Sequence, residues 1–238
     1  MNVLEIVQRF CVATGLPSPS VAVLNPSEDV RQIVELLNQE GRALSKRHDW
    51  QALTFEATFT TVAAESQGTL SSIIGSSQEL EKIVNDTIWN RTARVPIYGP
   101  VSRQTWQAYK ALTVTGPYSQ FRIRKNELLF DPAPTAGQSC YFEYVSRMWC
   151  TNSAGTTYRR NVADDTDLVL LDDELILAGL EWRWLRKKGL NYAEEFASYE
   201  ALVSSRIASD GMRRTLNMDG GPEDYRPGIF VPIGSWNL

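Results

Sequence analysis

The order of apolar and polar residues changes its period twice along the chain, from helical to strand-like and back to helical. Residues 2–14 carry apolar side chains at helical spacing, namely Val3, Ile6, Val7 and Phe10. Residues 27–48 repeat that spacing with Val30, Ile33, Val34, Leu37 and Leu44, and we expect Ser27 to cap the first free amides. The sequence therefore predicts two amphipathic helices before residue 50.

From Trp50 the period becomes two, which is typical of strands with one buried face. Strands are predicted at four places, residues 53–60, 120–124, 127–130 and 139–145. Lys125-Asn126 is suited to a turn, so the second and third of these strands are expected to form a hairpin. Short helices are predicted at 79–84 and 102–112, the latter capped by Ser102. The middle of the chain is therefore predicted to be mostly β.

The helical period returns at Asp172. Acidic residues open this helix and basic residues close it before Gly189, as the helix dipole favours. Its expected inner face is Leu175, Ala178, Gly179, Trp182 and Leu185. Asn191 and Glu194 have the spacing of a capping box for a last helix, which ends near Ser209. The apolar stripe of that last helix is Tyr192, Phe196, Tyr199 and Val203.

Helices at both ends and a β-rich middle predict an α+β fold. We expect a helical bundle built from residues 1–49 and 165–210, into which a β-rich, barrel- or sandwich-like domain is inserted at 50–164. Residues 211–238 lose all periodicity and are expected to form an extended C-terminal arm. A chain of 238 residues can bury a core of useful size without disulfides or metal ions.

Composition and charge remove several functional classes. The net charge of −4 lacks the basic surplus with which proteins grip nucleic acid, so no specific DNA binding is expected. No apolar run approaches the roughly 20 residues that cross a bilayer. The first residues also lack the pattern of a signal peptide. We therefore expect a protein that is made in the cytoplasm and has no membrane contact.

Residues that could carry chemistry are few. His48 is the single histidine, and neither a GxSxG nucleophile motif nor a glycine-rich phosphate loop occurs, so no catalytic residue and no cofactor is assigned. We interpret His48 as a solvated or capping residue at a helix end. The three cysteines, Cys11, Cys140 and Cys150, are odd in number and widely spaced. Buried free thiols are therefore predicted in preference to a zinc site.

An acidic run is the one candidate for metal binding, because hard cations prefer carboxylate ligands. It comprises Asp164, Asp165, Asp167, Asp172, Asp173 and Glu174. Half of the run is explained as charge at a helix N-terminus, and the ligand spacing of an EF-hand is missing, so we predict no metal. The open alternative is a metal-dependent hydrolase that acts on cell wall or nucleic acid through Asp165 and Asp167.

The C-terminal arm is the candidate binding segment. Its apolar and aromatic residues are costly to leave in water and suit docking on a neighbouring subunit or another partner. The predicted docking residues are Tyr225, Ile229, Phe230, Val231, Ile233 and Trp236. The alternative is that the arm folds back across its own domain.

Several segments in their joint order resemble the head-to-tail adaptor proteins of tailed bacteriophages, in particular the tail tubular A (adaptor) proteins of short-tailed phages. The segments are residues 46–53, 85–92, 96–100, 121–124, 128–130, 179–186 and 192–196. The likeness extends over about residues 1–210 and includes the order of helices and strands.

The resemblance implies a structural virion protein with no catalysis and no cofactor. It implies a homo-oligomeric ring of twelve copies in the head-tail neck, which joins the portal protein to the tail nozzle or tail tube proteins. DNA would pass through the ring during ejection without specific binding. In this family the helical bundle packs laterally and a C-terminal segment grips the portal, and synthesis takes place in the host cytoplasm. The alternative is a receptor- or glycan-binding tail module that uses exposed Tyr and Trp of the β-rich domain.

Overall fold

A computed structural model describes residues 1–75, 78–112 and 118–211 of the chain. The six helices of these residues are α1 (Val3–Thr14), α2 (Glu28–Leu44), α3 (Leu70–Ile74), α4 (Arg103–Ala111), α5 (Asp173–Lys187) and α6 (Ala193–Asp210). Antiparallel sheets account for the middle of the chain. The predicted α+β class, with helices at both ends and strands between them, is confirmed.

Eleven strands of the described residues form three sheets. In chain order they are β1 (Thr54–Thr60), β2 (Ser66–Thr69), β3 (Leu80–Ile83), β4 (Trp89–Asn90), β5 (Val95–Pro96), β6 (Gln120–Arg124), β7 (Glu127–Asp131), β8 (Ser139–Ser146), β9 (Cys150–Thr151), β10 (Tyr158–Arg159) and β11 (Leu168–Val169). The largest sheet has the order β1-β8-β4-β5, with β3 also paired to β8. The two smaller sheets have the orders β2-β7-β6 and β10-β9-β11.

The long helices α1, α2 and α6 all pack against α5. Asn2 caps α1 in a complete capping box with Glu5, and the predicted stripe of α1 is buried. The α-amino group of Met1 lies 3.4 Å from Asp173, and Phe10 packs edge-on against Trp184, so α1 runs parallel to α5. Burial of these apolar faces is the main force that holds the bundle together.

Close packing of α2 requires a glycine in its centre. A Cβ atom at Gly41 would overlap the indole ring of Trp149, which is fully buried. Glycine in a helix interior is usually unfavourable, but here the missing side chain makes room for the tryptophan. Trp149, Cys150 and Val162 belong to the same apolar cluster as the four long helices.

A second apolar cluster lies between the β1-β8 sheet and the β2-β7-β6 sheet. Phe59 of β1 packs against Phe130 of β7 and Phe142 of β8, with ring centroids about 6 Å apart. Two facing sheets with a shared core are a sandwich-like arrangement. The exact division into a bundle at 1–49 and 165–210 and an insert at 50–164 stays a prediction.

The hairpin of β6 and β7 forms as predicted. Both turn residues, Lys125 and Asn126, have positive φ angles of 51° and 64°, as a two-residue type I′ turn requires. The strand at 139–145 and the helix capped by Ser102 are also confirmed, the latter through a hydrogen bond from the Thr105 amide to Ser102 Oγ.

Four local predictions were wrong. Residues 79–84 form strand β3 and no helix, because they pair with the edge of β8. The α2 helix ends at Leu44, and a 3₁₀ turn at Gln51–Leu53 precedes the strand, which starts at Thr54. Ser27 makes no capping bond through its side chain. The capping box of Asn191 and Glu194 is also absent, although the Asn191 side chain accepts a hydrogen bond from the amide of Ala193.

Across the described residues, no helix has the length and apolar character that spanning a membrane demands.

Candidate assembly site

The last described helix ends at the junction between the bundle and the first strand. The Asp210 carboxylate accepts a hydrogen bond of 2.9 Å from the Gln51 amide, and it lies 3.5 Å from Nε2 of His48. These contacts fix the end of α6 beside the start of the β-rich region. Gly211, the last described residue, therefore lies at this junction. The six predicted docking residues of the arm, Tyr225, Ile229, Phe230, Val231, Ile233 and Trp236, lie outside the described residues.

A buried polar network fixes α6 against α2 and α5. Glu40 on α2 has no solvent exposure, and its carboxylate accepts hydrogen bonds from the Tyr199 hydroxyl on α6 and from Nε of Arg183 on α5. A Cβ atom at Gly179 would overlap the Glu40 carboxyl group, so the glycine makes room for the charge. Burial, and then the nearby Glu40 carboxylate, raise the pKa of Tyr199 well above its usual range. The hydroxyl therefore stays a donor.

A second ion pair joins the segment that follows α2 to α6. Both guanidinium amino groups of Arg47 bind the Glu200 carboxylate, one of them at 2.8 Å. The hydrogen bond between them raises the pKa of Arg47 and lowers that of Glu200. The guanidinium also lies 5.8 Å from the centre of the Tyr199 ring. Tyr199 is thus held by Glu40 on one side and Arg47 on the other.

This network was missed by the sequence analysis, which singled out apolar residues alone. A signal was present in the spacing. Glu40 is three residues after Leu37 and four before Leu44, so it shares the inward face of α2. A carboxylate on an apolar face requires a buried partner, and Arg183 lies on the face of α5 near Gly179.

Two exposed apolar patches are available for contact with other proteins. The bundle-turn patch consists of Leu190, Tyr192 and Phe196 at the connection between α5 and α6. Phe196 packs edge-on against Trp182, with ring centroids 5.1 Å apart, so the patch is supported from beneath. Exposed apolar side chains of this kind are candidates for protein interfaces when they are clustered.

The second patch lies on the β-rich region. This tyrosine patch consists of Tyr98 and Tyr118, both of which are about half exposed. The two tyrosine rings pack edge to face at 5.8 Å, and Tyr98 pairs with the first residue of β6. The edge-to-face pair is therefore held at the start of β6. Tyrosine combines a large apolar surface with a polar hydroxyl, which suits it to interfaces.

Two carboxylates of the acidic run hold loops of their own chain. Asp165 accepts hydrogen bonds from the amides of Ala22 and Val23. Asp167 is fully buried and binds Arg159 as well as two backbone amides. Over residues 1–75, 78–112 and 118–211, the structure contains no group of three or more His, Cys, Asp and Glu side chains that could hold a metal ion. The carboxylates that the hydrolase alternative requires are thus used as anchors for loops.

The remaining candidate residues are packed into the fold. His48 lies edge-on to Trp50, with ring centroids 5.1 Å apart, at the end of the segment that follows α2. All three cysteines are buried free thiols, as predicted. Burial raises the pKa of Cys140 to about 11 and that of Cys150 to about 12. Such thiols are poor nucleophiles because they stay protonated at neutral pH.

The described residues thus form a helical body and a β-rich region with two exposed apolar patches. Comparison with known protein families identifies the class of protein. The family model of the SU10 adaptor protein matches residues 1–223, and the chain belongs to that family. It is thus a structural head-to-tail adaptor of a bacteriophage virion, as the resemblance predicted, and the tail tubular A subtype stays a prediction. No curated protein matches the chain.

Proposed function

We propose that this adaptor forms a closed ring, of twelve copies, which joins the portal to the tail nozzle and gives the DNA a passage. Membership in an adaptor family supports contact with other virion components. The observation that carries the proposal for this chain is the pair of separate apolar patches on the described body, one on the bundle and one on the β-rich region.

A ring of identical subunits needs two different surfaces. In a head-to-tail contact one patch of each copy meets another patch of the next, and the series closes after a full rotation. The bundle-turn patch and the tyrosine patch differ in residue composition and belong to regions with separate cores. They supply the unlike surfaces that such a contact requires.

The charge of the chain suits a passage for DNA. Proteins that hold DNA neutralise its phosphates with a surplus of Lys and Arg, and each such contact has to be broken when the DNA moves. The net charge of −4 avoids this cost. The ring is proposed to guide DNA without specific binding.

The arm is proposed to attach the ring to the portal or to the neighbouring subunit through Tyr225, Ile229, Phe230, Val231, Ile233 and Trp236. An extended apolar segment can contact a partner through its backbone and through alternate side chains. The end of α6 supports this role, because Asp210 fixes the starting point of the arm relative to the body.

The ring contact is tested by charge substitution in the bundle-turn patch. Leu190→Glu and Phe196→Glu place a charge in the proposed interface. Leu24→Glu is the matched control, because Leu24 is 87% exposed and lies outside both patches. Native mass spectrometry of the adaptor, alone and mixed with purified portal, is expected to show one closed stoichiometry for the wild type and the control. The two patch variants are expected to lose it. Retention of the wild-type stoichiometry by both patch variants would contradict the proposed contact.

The docking role of the arm is tested by truncation after residue 211. Complementation of a phage that lacks the adaptor is expected to give completed particles with the full chain and few or none with the truncated chain. A truncated adaptor that supports full infectivity would overturn the docking role. The ring proposal would survive that result, since the two patches lie outside the arm.

The tyrosine patch also favours one alternative, a receptor- or glycan-binding module. Exposed aromatic rings can stack on the apolar faces of sugars. Binding of the full-length protein to a glycan array, and its loss in Tyr98→Ala with Tyr118→Ala, would favour that alternative. The adaptor proposal predicts no such binding.

A further inference from the structure

The end of α6 lies in a cleft whose floor is apolar. One hollow of about 280 Å³ is lined by Trp50, Ala52, Leu170 and Leu171 together with Ser209 and Asp210, the last two residues of α6. A second hollow of about 480 Å³ adjoins it and extends towards Met1. The two share Leu170, Leu171, Asp172 and Arg206 and thus form one continuous cleft.

The rim of this cleft is acidic. It carries the carboxylates of Asp172, Asp173, Glu174 and Asp210, whereas Arg206 is the single Lys or Arg side chain among its described lining residues. Arg206 Nε lies 3.2 Å from Asp172 Oδ2, and Glu174 binds the same guanidinium. The α-amino group of Met1 also lies at this rim, 3.4 Å from Asp173, so two cations face four carboxylates. The negative excess favours a cationic occupant.

A positively charged segment follows α6 in the sequence and starts beside this cleft. Gly211 follows Asp210 directly, and the next three residues are Met212, Arg213 and Arg214. An extended residue spans about 3.3–3.6 Å, so both arginines begin within roughly 11 Å of Gly211. Covalent attachment gives this segment a high effective concentration at the cleft, which a separate partner would lack.

We propose that Met212–Arg214 of the same chain occupies the cleft, with Met212 over the apolar floor and the two arginines at the acidic rim. This root contact sets the direction in which the rest of the arm leaves the body. The proposal combines the apolar floor, the excess of carboxylates and the continuity of the chain. It concerns the arm of the proposed function but holds whether or not a ring forms.

Trypsin tests the proposal on the full-length protein. Trypsin cleaves poorly between Arg226 and Pro227. C-terminal fragments that begin at Arg214 or Thr215, identified by mass, therefore report cleavage after Arg213 or Arg214, as distinct from cleavage after Arg206 in α6. The test variant is Asp173→Asn with Glu174→Gln, which removes two rim charges and leaves the cap residue Asp172 in place. The matched control is Glu194→Gln with Glu195→Gln, because these carboxylates occupy the first turn of α6 just as the others occupy that of α5.

Docking is expected to slow release of the arm. The rim variant is expected to release it roughly threefold to tenfold faster than the wild type, as the loss of two partly exposed charge pairs predicts, whereas the control keeps the wild-type rate. Added salt should accelerate release from the wild type by a similar factor, relative to a synthetic peptide of residues 211–217. The salt experiment needs no variant, so the proposal is tested even if the substitutions disturb folding.

Three results would overturn the proposal. The first is equal release from the rim variant and the wild type, and the second is a wild-type rate that matches the free peptide at low salt. The third is protection that disappears on dilution of the protein, since that would place the segment in the cleft of a neighbouring copy. Protection that is independent of concentration supports an occupant from the same chain.

Discussion

Replacement of Arg183 by methionine is expected to lower the free energy of unfolding, because it leaves the buried charge of Glu40 without its cationic partner. Methionine keeps much of the aliphatic volume but removes the guanidinium that binds Glu40. The Glu40 carboxylate has no solvent exposure, and the side chain of Arg183 is 19% exposed. Two side chains donate hydrogen bonds to the Glu40 carboxylate, and after the substitution the Tyr199 hydroxyl is the one that remains.

The size of the effect follows from this burial. Removal of one partner from a buried ion pair costs about 3–5 kcal/mol, because the other charge is left uncompensated. An exposed ion pair contributes about 0–1 kcal/mol. Lys188→Met is the matched control, since Lys188 lies at the end of the same helix and its pair with Asp29 is exposed. We therefore expect a loss of unfolding free energy for Arg183→Met that is several times larger than that for Lys188→Met.

Urea denaturation followed by tryptophan fluorescence measures both losses. The double variant Glu40→Gln with Arg183→Met removes both charges, and it is expected to be more stable than Arg183→Met alone by about 1–2 kcal/mol. The amide oxygen that replaces the carboxylate in that variant can still accept the hydrogen bond of the Tyr199 hydroxyl. A cost below about 1 kcal/mol for Arg183→Met, or strict additivity of the two substitutions, would show that Arg183 does not compensate the buried charge of Glu40.

Two further predictions concern the packing of the core. Gly41→Ala is expected to destabilise the protein by about 1–3 kcal/mol in a thermal melt, because its Cβ would overlap Trp149, whereas Gly211→Ala meets no atom within 4 Å and should change little. An unchanged melting temperature for Gly41→Ala would contradict the packing. Cys140 and Cys150 are expected to resist a thiol reagent at about pH 8 in the folded protein and to react after denaturation, because burial raises the pKa of both thiols. Rapid labelling of the native protein would show that they are accessible.

Elements with a strong internal pattern could be predicted from the sequence. The stripe of α1, the hairpin at Lys125-Asn126 and the charged ends of α5 each depend on residues close together in the chain. Local patterns fix such elements because their stabilising contacts are local as well. The overall order of helices and strands followed from these elements.

Predictions failed where a distant contact decides the structure. Residues 80–83 have helical spacing, yet they form a strand because the edge of β8 satisfies their backbone groups. The requirement for glycine at position 41 could not be predicted, because its partner Trp149 lies far away in the sequence. The position of Glu40 beside Arg183 and Tyr199 depends on how three helices pack, which no short segment specifies.

Electron cryomicroscopy of the virion tests whether identical copies join through unlike surfaces in the neck of the particle. We expect a closed ring of this chain between portal and tail, with the bundle-turn patch of each copy against a different surface of the next. A neck without this protein, or copies that make no contact with one another, would rule out such a ring.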